Sequence, residues 1–523
     1  MDSETTAHTI RRWYSFRLKL IFEGICIGFL TGLLIVAYRL SLEKAFLFFG
    51  FVRIKLLEDP MFIIPWVAVL ICIGLIISFL VKYNPLISGS GIPQVEGFLS
   101  GKLEMSWWRI LLAKFVGGVL SIGSGLSLGR EGPSVQLGST VGLGFSRIFK
   151  RSHIEENYLV TGGSSAGLAA AFNAPLAGVL FSLEEIHKNF SPLVLLTALS
   201  AALTSSYVAS DFFGLQPIFS FANVQHIPLN LYLLVIGLGV VLGVCGAVFN
   251  SGLLKFQRFY ARRKWLPAHF RVFVPLAFSL GLGFILPQLL GGGHELIIEV
   301  ISHPFTLGFL MILLVGKFLF TMICYGSGAP GGIFLPLLSL GAVIGTIWGT
   351  ALSTWFGIDS SFTANFIILG MAGLFTAIVR APITGIILIS EMTGSLDHFL
   401  SLAVVCIVAY IVADLLGSKP VYDSLLERLL ESRGVRHKNV HDSRRTIIEF
   451  VVQAGSPLDG TLVRNVSWPP LCLLVSLRRG QSEILPKGET KIESGDYIVI
   501  LTDVSEVPII HEYITSLINA PTI

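Results

Sequence analysis

Two stretches decide the fold. Residues 114–142 read KFVGGVLSIGSGLSLGREGPSVQLGSTVG, and residues 317–345 read KFLFTMICYGSGAPGGIFLPLLSLGAVIG. Lys114-Phe115, Gly123-Ser124-Gly125, Pro133, Leu137-Gly138 and Gly142 recur as Lys317-Phe318, Gly326-Ser327-Gly328, Pro336, Leu340-Gly341 and Gly345, every pair 203 positions apart. A second block obeys the same logic. Ala174-Pro175-Leu176-Ala177-Gly178 precedes Glu184 by the spacing at which Ala381-Pro382-Ile383-Thr384-Gly385 precedes Glu391. A repeat of this order makes two related halves.

The halves belong in a bilayer. Of the 523 residues, 53% are hydrophobic and only 13% charged, where a soluble domain carries about 25% charged residues. Mean hydropathy is +0.76. Apolar runs such as 61–81 and 231–249 are long enough to cross about 30 Å of hydrocarbon. The basic start, with Arg11, Arg12, Arg17 and Lys19, predicts a retained first helix and a cytoplasmic N-terminus. The expected location is the inner membrane, with both termini cytoplasmic. A net charge of +4 gives no reason to expect nucleic acid. The six cysteines lack metal-type spacing and read as small apolar residues; no metal is expected.

Glycine interrupts these runs. Broken helices survive in a bilayer only where they are buried in protein or line a cavity, which points to a transporter or channel. The breaks at 88–93 (SGSGIP), 129–133 (GREGP) and 326–336 (GSGAPGGIFLP) each lead into an apolar helix. A helix N-terminus offers free N–H groups and about half a positive charge, and so holds an anion without a full cation. Two such repeats aimed at one ion would have to be inverted. The glycines at 138/142 and 341/345 read instead as close helix packing.

Within the repeat, Glu131 fills the slot of Phe334. One half carries an ionisable group where the other carries a ring. An intramembrane carboxylate is a functional candidate by default.

These segments, with KPVY (419–422) and the run ending at Glu184-Glu185, resemble the signature segments of the CLC family of chloride channels and chloride/proton antiporters. The resemblance covers about residues 18–430. It implies an all-α polytopic membrane domain of broken, tilted helices in an inverted repeat, its halves at 18–225 and 226–430, after a cytoplasmic N-terminus at 1–17. It implies chloride coordination by the hydroxyls of Ser90 and Tyr422 and the backbone N–H groups of Ile333 and Phe334. Glu131 matches the family's gating glutamate and external proton site. Glu185 matches the internal proton-transfer glutamate, which antiporters usually have and channels usually lack. Glu184 has the repeat partner Glu391, and a structural or vestibule role is expected for it.

The resemblance therefore implies a secondary active transporter exchanging chloride for protons, with chloride and protons as substrates and no cofactor. A passive chloride channel is the alternative. A fluoride/proton antiporter is a lesser one, because Ser90 and Tyr422 differ in that branch. An enzyme is not expected. GSSAG (163–167) fits a nucleophile elbow, but it sits in a helix-like run without the strand–turn–helix context that motif needs.

The grammar changes near residue 431. A polar linker (431–445) precedes strand-like runs at 446–452, 471–480 and 495–502, then a closing helix. This predicts a small cytoplasmic α+β domain over 446–523, similar to the regulatory TrkA-C (RCK-C) domain. Its size and that likeness imply a homodimer. The likeness leaves room for a small nucleotide ligand, for which Arg478, Arg479 and Lys487 are the candidate phosphate contacts.

Overall fold

A computed structural model describes residues 3–433 and 445–518, apart from Asn189, Ser220, 222–224, Lys264, Leu471, Gln481 and 504–505. Most of the linker at 431–445 lies outside the described residues. The chain divides into two compact units, 1–430 and 431–523.

The first unit is helical. Its first half comprises α1 (Ser3–Glu58), α2 (Ile63–Tyr83), α3 (Ile92–Leu99), α4 (Trp107–Gly123), α5 (Glu131–Ile148), α6 (His153–Phe172), α7 (Pro175–Phe181) and α8 (Pro192–Phe213). The second comprises α9 (Tyr232–Arg262), α10 (Phe273–Ile285), α11 (His294–Ser302), α12 (Leu307–Gly326), α13 (Phe334–Phe356), α14 (Thr363–Val379), α15 (Pro382–Thr393) and α16 (Phe399–Leu415). Helix by helix the halves correspond, and α17 (Val421–Ser432) stands outside the repeat.

The halves are inverted. Gly24, Gly28 and Gly32 of α1 pack on Thr197–Ser200, Ala201 and Ser205–Val208 of α8, so α8 runs parallel to α1 and ends level with Arg39, whose guanidinium lies 3.6 Å from the Phe213 ring. The following connection stays at that end, with the Phe219 ring 5.3 Å from His294. From there α9 sets off, opposite in sense to α1. In turn, α9 packs parallel on α16 through Gly239 and Gly243.

The two halves clasp each other through equivalent residues. Gly129 and Gly332 exchange both backbone hydrogen bonds at 2.7 Å. These glycines are themselves 203 apart, so a pseudo-twofold axis passes between them. Glu184 accepts from the N–H and hydroxyl of Thr384 at the start of α15, at 2.9 and 2.8 Å. Glu391 accepts from the N–H groups of Leu176 and Ala177 at the start of α7, at 3.1 and 2.8 Å. Each half thus supplies the carboxylate that caps a helix of the other, the structural one of the two roles expected for Glu184.

Close packing follows the glycines. A Cβ at Gly138 would stand 2.0 Å from the Gly163 carbonyl oxygen, and one at Gly341 would stand 2.4 Å from that of Gly370. Helices α5–α6 and α13–α14 therefore touch backbone to backbone. Ser165 of the GSSAG stretch is fully buried within α6, a setting that offers no strand–turn–helix elbow.

The second unit is a four-stranded antiparallel sheet, β1 (Arg445–Val451), β2 (Cys472–Arg479), β3 (Ser482–Ile484) and β4 (Tyr497–Asp503), in the order β1-β4-β2-β3. The helix α18 (Val507–Ile518) contributes Ile510, Ile514 and Ile518 to a core with Phe450, Leu477, Ile498 and Ile500. Three strands lie where the sequence pattern put them; β3 is too short to show alternation.

Candidate anion and proton site

Three breaks converge on the pseudo-twofold axis. Before α3, Gly91 takes φ +98°, and a Cβ there would meet the Gln136 side chain at 2.5 Å. That conformation and that contact both demand glycine. The loop is fixed from below by Lys114, whose buried ammonium donates to the carbonyls of Ile87 and Gly89 at 2.9 and 2.6 Å. Its repeat partner Lys317 does the same to Leu289 and Gly291 at 3.0 and 2.7 Å. The SGSGIP break therefore has a counterpart the sequence did not reveal. Gly89 and Gly91 (φ +67° and +98°) correspond to Gly291 and Gly293 (φ +64° and +107°). The carbonyl hydrogen bonds offset part of the cost of burying each lysine, and the matched Lys114/Lys317 pair is the one signal available.

This loop sets Ser90, which is 1% exposed. Its hydroxyl lies against Gly132, where a Cβ would come within 2.3 Å of Ser90 Oγ. Tyr422, in the first turn of α17, is wholly buried and neighbours Ser90 and Tyr325. Neither Ser90 Oγ nor Tyr422 Oη has a hydrogen-bond partner among the described residues. Two neutral O–H donors, buried and free, suit a weakly held anion.

Ile333 and Phe334 form the N-terminal boundary of α13, both fully buried. The Phe334 ring packs on Phe172, Phe181 and Phe375 with centroids 5.2, 5.9 and 4.7 Å apart, and Phe181 lies 6.2 Å from Tyr422. Glu131 opens α5 and is 0% exposed. Its carboxylate faces its own N–H and that of Leu335, one residue into α13. Across the axis from Phe334, the acid thus sits at the helix start of the opposite half. Ser90, Glu131, Ile333, Phe334 and Tyr422, scattered over 333 positions of sequence, are brought together.

Arg130 lies within electrostatic reach of Tyr38, Arg39 and His294 as well as of Glu131. Its positive charge acts on Glu131 as well as on Arg39, and the two guanidinium groups together make this side of Glu131 electropositive.

Glu185 lies elsewhere. It is 4% exposed, on the π-helical turn Ser182–Ile186, a locally widened, underwound turn of a kind frequent at functional sites. Tyr422 is within electrostatic reach of both Glu131 and Glu185. Beside Glu185, Lys188 bridges Glu96 at 2.7 Å and Asp423 of α17. Sequence reasoning missed this trio, whose members come from three separate elements.

In the second unit the candidate phosphate contacts part company. Arg479 makes a bidentate pair with Asp496 (2.8 and 2.8 Å), which is fully buried. Arg479 is committed to that pair, whereas Arg478, 4.5 Å over the Tyr497 ring and 3.9 Å from Glu449, and Lys487 are less tightly held.

Helix starts and free hydroxyls gathered on the axis of an inverted repeat define a membrane protein built to pass small anions. Residues 73–414 match the voltage gated chloride channel family, and 447–514 match the TrkA-C domain. Two relatives are the H(+)/Cl(-) exchange transporters ClcA of Salmonella agona (strain SL483) and Salmonella typhimurium (strain LT2). Each is 37% identical over 434 residues, covering 79% of this chain and 89% of the relative. The solved structure of a slow cyanobacterial Cl−/H+ antiporter is similar at 33% identity and TM-score 0.75, covering 79% of this chain and 99% of that one. A eukaryotic CLC transporter (TM-score 0.67, 24% identity, 79% of this chain and 74% of that one) and a CLC-type fluoride/proton antiporter (0.64, 24%, 77% and 97%) share the fold. The chain belongs to the voltage gated chloride channel (CLC) family and carries a C-terminal TrkA-C domain.

Proposed function

We propose that this protein exchanges chloride for protons across the membrane. The reading rests on one observation: the Glu131 carboxylate meets a helix start of the opposite half beside the free hydroxyls of Ser90 and Tyr422. Chloride is held by those hydroxyls and by the N–H groups of Ile333 and Phe334. Glu131 is itself an anion and competes for this ground. Protonation removes its charge, it leaves the N–H groups, and chloride enters. Glu185 passes the proton to and from the other side, with Lys188 as its nearest cation. Exchange follows because proton and chloride claim one place in turn.

Support also comes from relatives named as H(+)/Cl(-) exchangers. The protein works as a homodimer in the inner membrane with both termini cytoplasmic. Arg17, Lys19, Arg147, Lys150 and Arg151 gather at the end where α1 starts and α6 begins, joined by the Lys19–Glu155 and Arg151–Glu23 pairs. The TrkA-C domain regulates transport, with Arg478 and Lys487 left to meet a nucleotide phosphate.

The test is proteoliposomes carrying the full chain. A chloride gradient drives proton movement against a proton gradient. Chloride flux without proton movement makes the protein a passive channel and sinks the antiport reading.

A further inference from the structure

A groove of about 400 Å³ opens on the flank of the first half, away from the anion site. Leu80, Tyr83 and Asn84 of the α2 end line one wall; Trp108, Arg109, Leu112, Ala113 and Val116 of α4 line the other. Its volume falls in the range of ligand sites. The lower wall is apolar, and Leu112 and Val116 are 58% and 43% exposed.

The mouth is different. Helix α2 has 21 residues, about 31 Å at 1.5 Å per residue, so it spans the hydrocarbon and its last turn emerges at the interface. That turn carries Lys82 and Tyr83, and facing it is Arg109 with Trp108. Arg109 lies 5.2 Å from the Trp108 ring, and neither it nor Lys82 has an acidic partner among the described residues. Aromatic rings of this kind sit at headgroup depth.

We propose that this groove binds one anionic phospholipid, its phosphate on Arg109 between the Trp108 and Tyr83 rings and an acyl chain along Leu80, Leu112, Ala113 and Val116. Charge complementarity selects the headgroup. The apolar wall, continuous with the hydrocarbon-facing side of α2, selects the tail. Basic pockets between transmembrane helices take such lipids. With the basic start of α1 in the cytoplasm, α2 returns to the cytoplasmic leaflet, where anionic lipids lie. Arg109 belongs to neither the anion nor the proton site, so the inference stands apart from the transport reading.

The experiment titrates the full-length chain in detergent with palmitoyl-oleoyl phosphatidylglycerol, the phosphatidylcholine of the same chains, or inorganic phosphate. Bound molecules are counted by native mass spectrometry. Wild type should retain phosphatidylglycerol about tenfold or more over phosphatidylcholine. Arg109→Gln should cost about fivefold, Lys82→Gln, on the opposite face of α2, should cost little, and Leu112→Trp, which fills the tail wall, should expel both lipids. Equal retention of the two lipids by wild type overturns the proposal. So does unchanged phosphatidylglycerol retention in Arg109→Gln, or phosphate binding that Leu112→Trp leaves intact.

Discussion

A carboxylate with no exposed surface is expensive unless something answers its charge. For Glu131 the answer is the Arg130 charge and the nearby backbone N–H groups of Glu131 and Leu335, with no hydrogen bond of full geometry to either carboxylate oxygen among the described residues. That is a weaker hold than a salt bridge, and a single proton releases it. Glu131→Gln therefore imitates the protonated state permanently. Its chloride flux should persist while proton movement falls to the leak level, read with chloride and pH electrodes on proteoliposomes. Glu185→Gln should give the same uncoupling by a different route, since it leaves the anion site whole. Chloride affinity by calorimetry would then match wild type, whereas Tyr422→Phe removes an O–H donor and should weaken chloride about two- to tenfold. If Glu185→Gln still pumps protons, the proton enters elsewhere, and Glu96 beside Lys188 becomes the candidate.

At the scale of elements, the reciprocal capping of α7 by Glu391 and of α15 by Glu184 ties the halves together at two symmetric points. Loss of either carboxylate strands helix-end N–H groups. Glu184→Ala and Glu391→Ala should each lower stability by about 1 kcal/mol, visible as a lower midpoint of thermal unfolding in detergent, with Glu184 costing more because it also holds the Thr384 hydroxyl. This symmetry was half legible in the sequence. The 203-residue repeat and the Glu184/Glu391 spacing are visible as matched letters. The pairing of SGSGIP with the Gly291–Gly293 break is not, because only glycines survive and the offset slips by one. Ser90, Glu131, Phe334 and Tyr422 could be named because each sits in a short distinctive segment. Lys188 could not. Its partners Glu96 and Asp423 lie 92 and 235 positions away, and an exposed-looking lysine after a helix carries no local mark of a bridge. Arg479 carries no local mark of its partner either: Asp496 lies 17 positions on, just before β4, and the pair shows only once the strands are placed.

For the whole molecule, the division at 430/431 separates transport from the sheet unit. Every residue of the proposed exchange lies within 90–422. A chain stopped after Ser432 should thus keep chloride–proton coupling, and any change confined to its rate measures what the TrkA-C unit imposes. Stability of that unit has its own pH signature. Burial alone would raise the carboxyl of Asp496, but the Arg479 hydrogen bonds, the Glu493 N–H and the Arg479 charge outweigh it and hold it below its usual 3.8. The same pair raises the already high Arg479 guanidinium, which stays charged throughout the accessible range. A depressed carboxyl stabilises the fold fully above its unfolded value and loses that contribution as pH falls through the folded one. Asp496→Asn should accordingly speed amide exchange in β2 and β4 of the full chain at pH 7, by an amount equivalent to about 2 kcal/mol for a charge-assisted pair. The gap between variant and wild type should narrow once pH drops below 3.8 and close below the depressed value, where aspartic acid is as neutral as asparagine. If the gap is as wide in acid as at neutrality, Asp496 contributes through its shape and its neutral hydrogen bonds, and the ion pair with Arg479 adds nothing to the unit's stability.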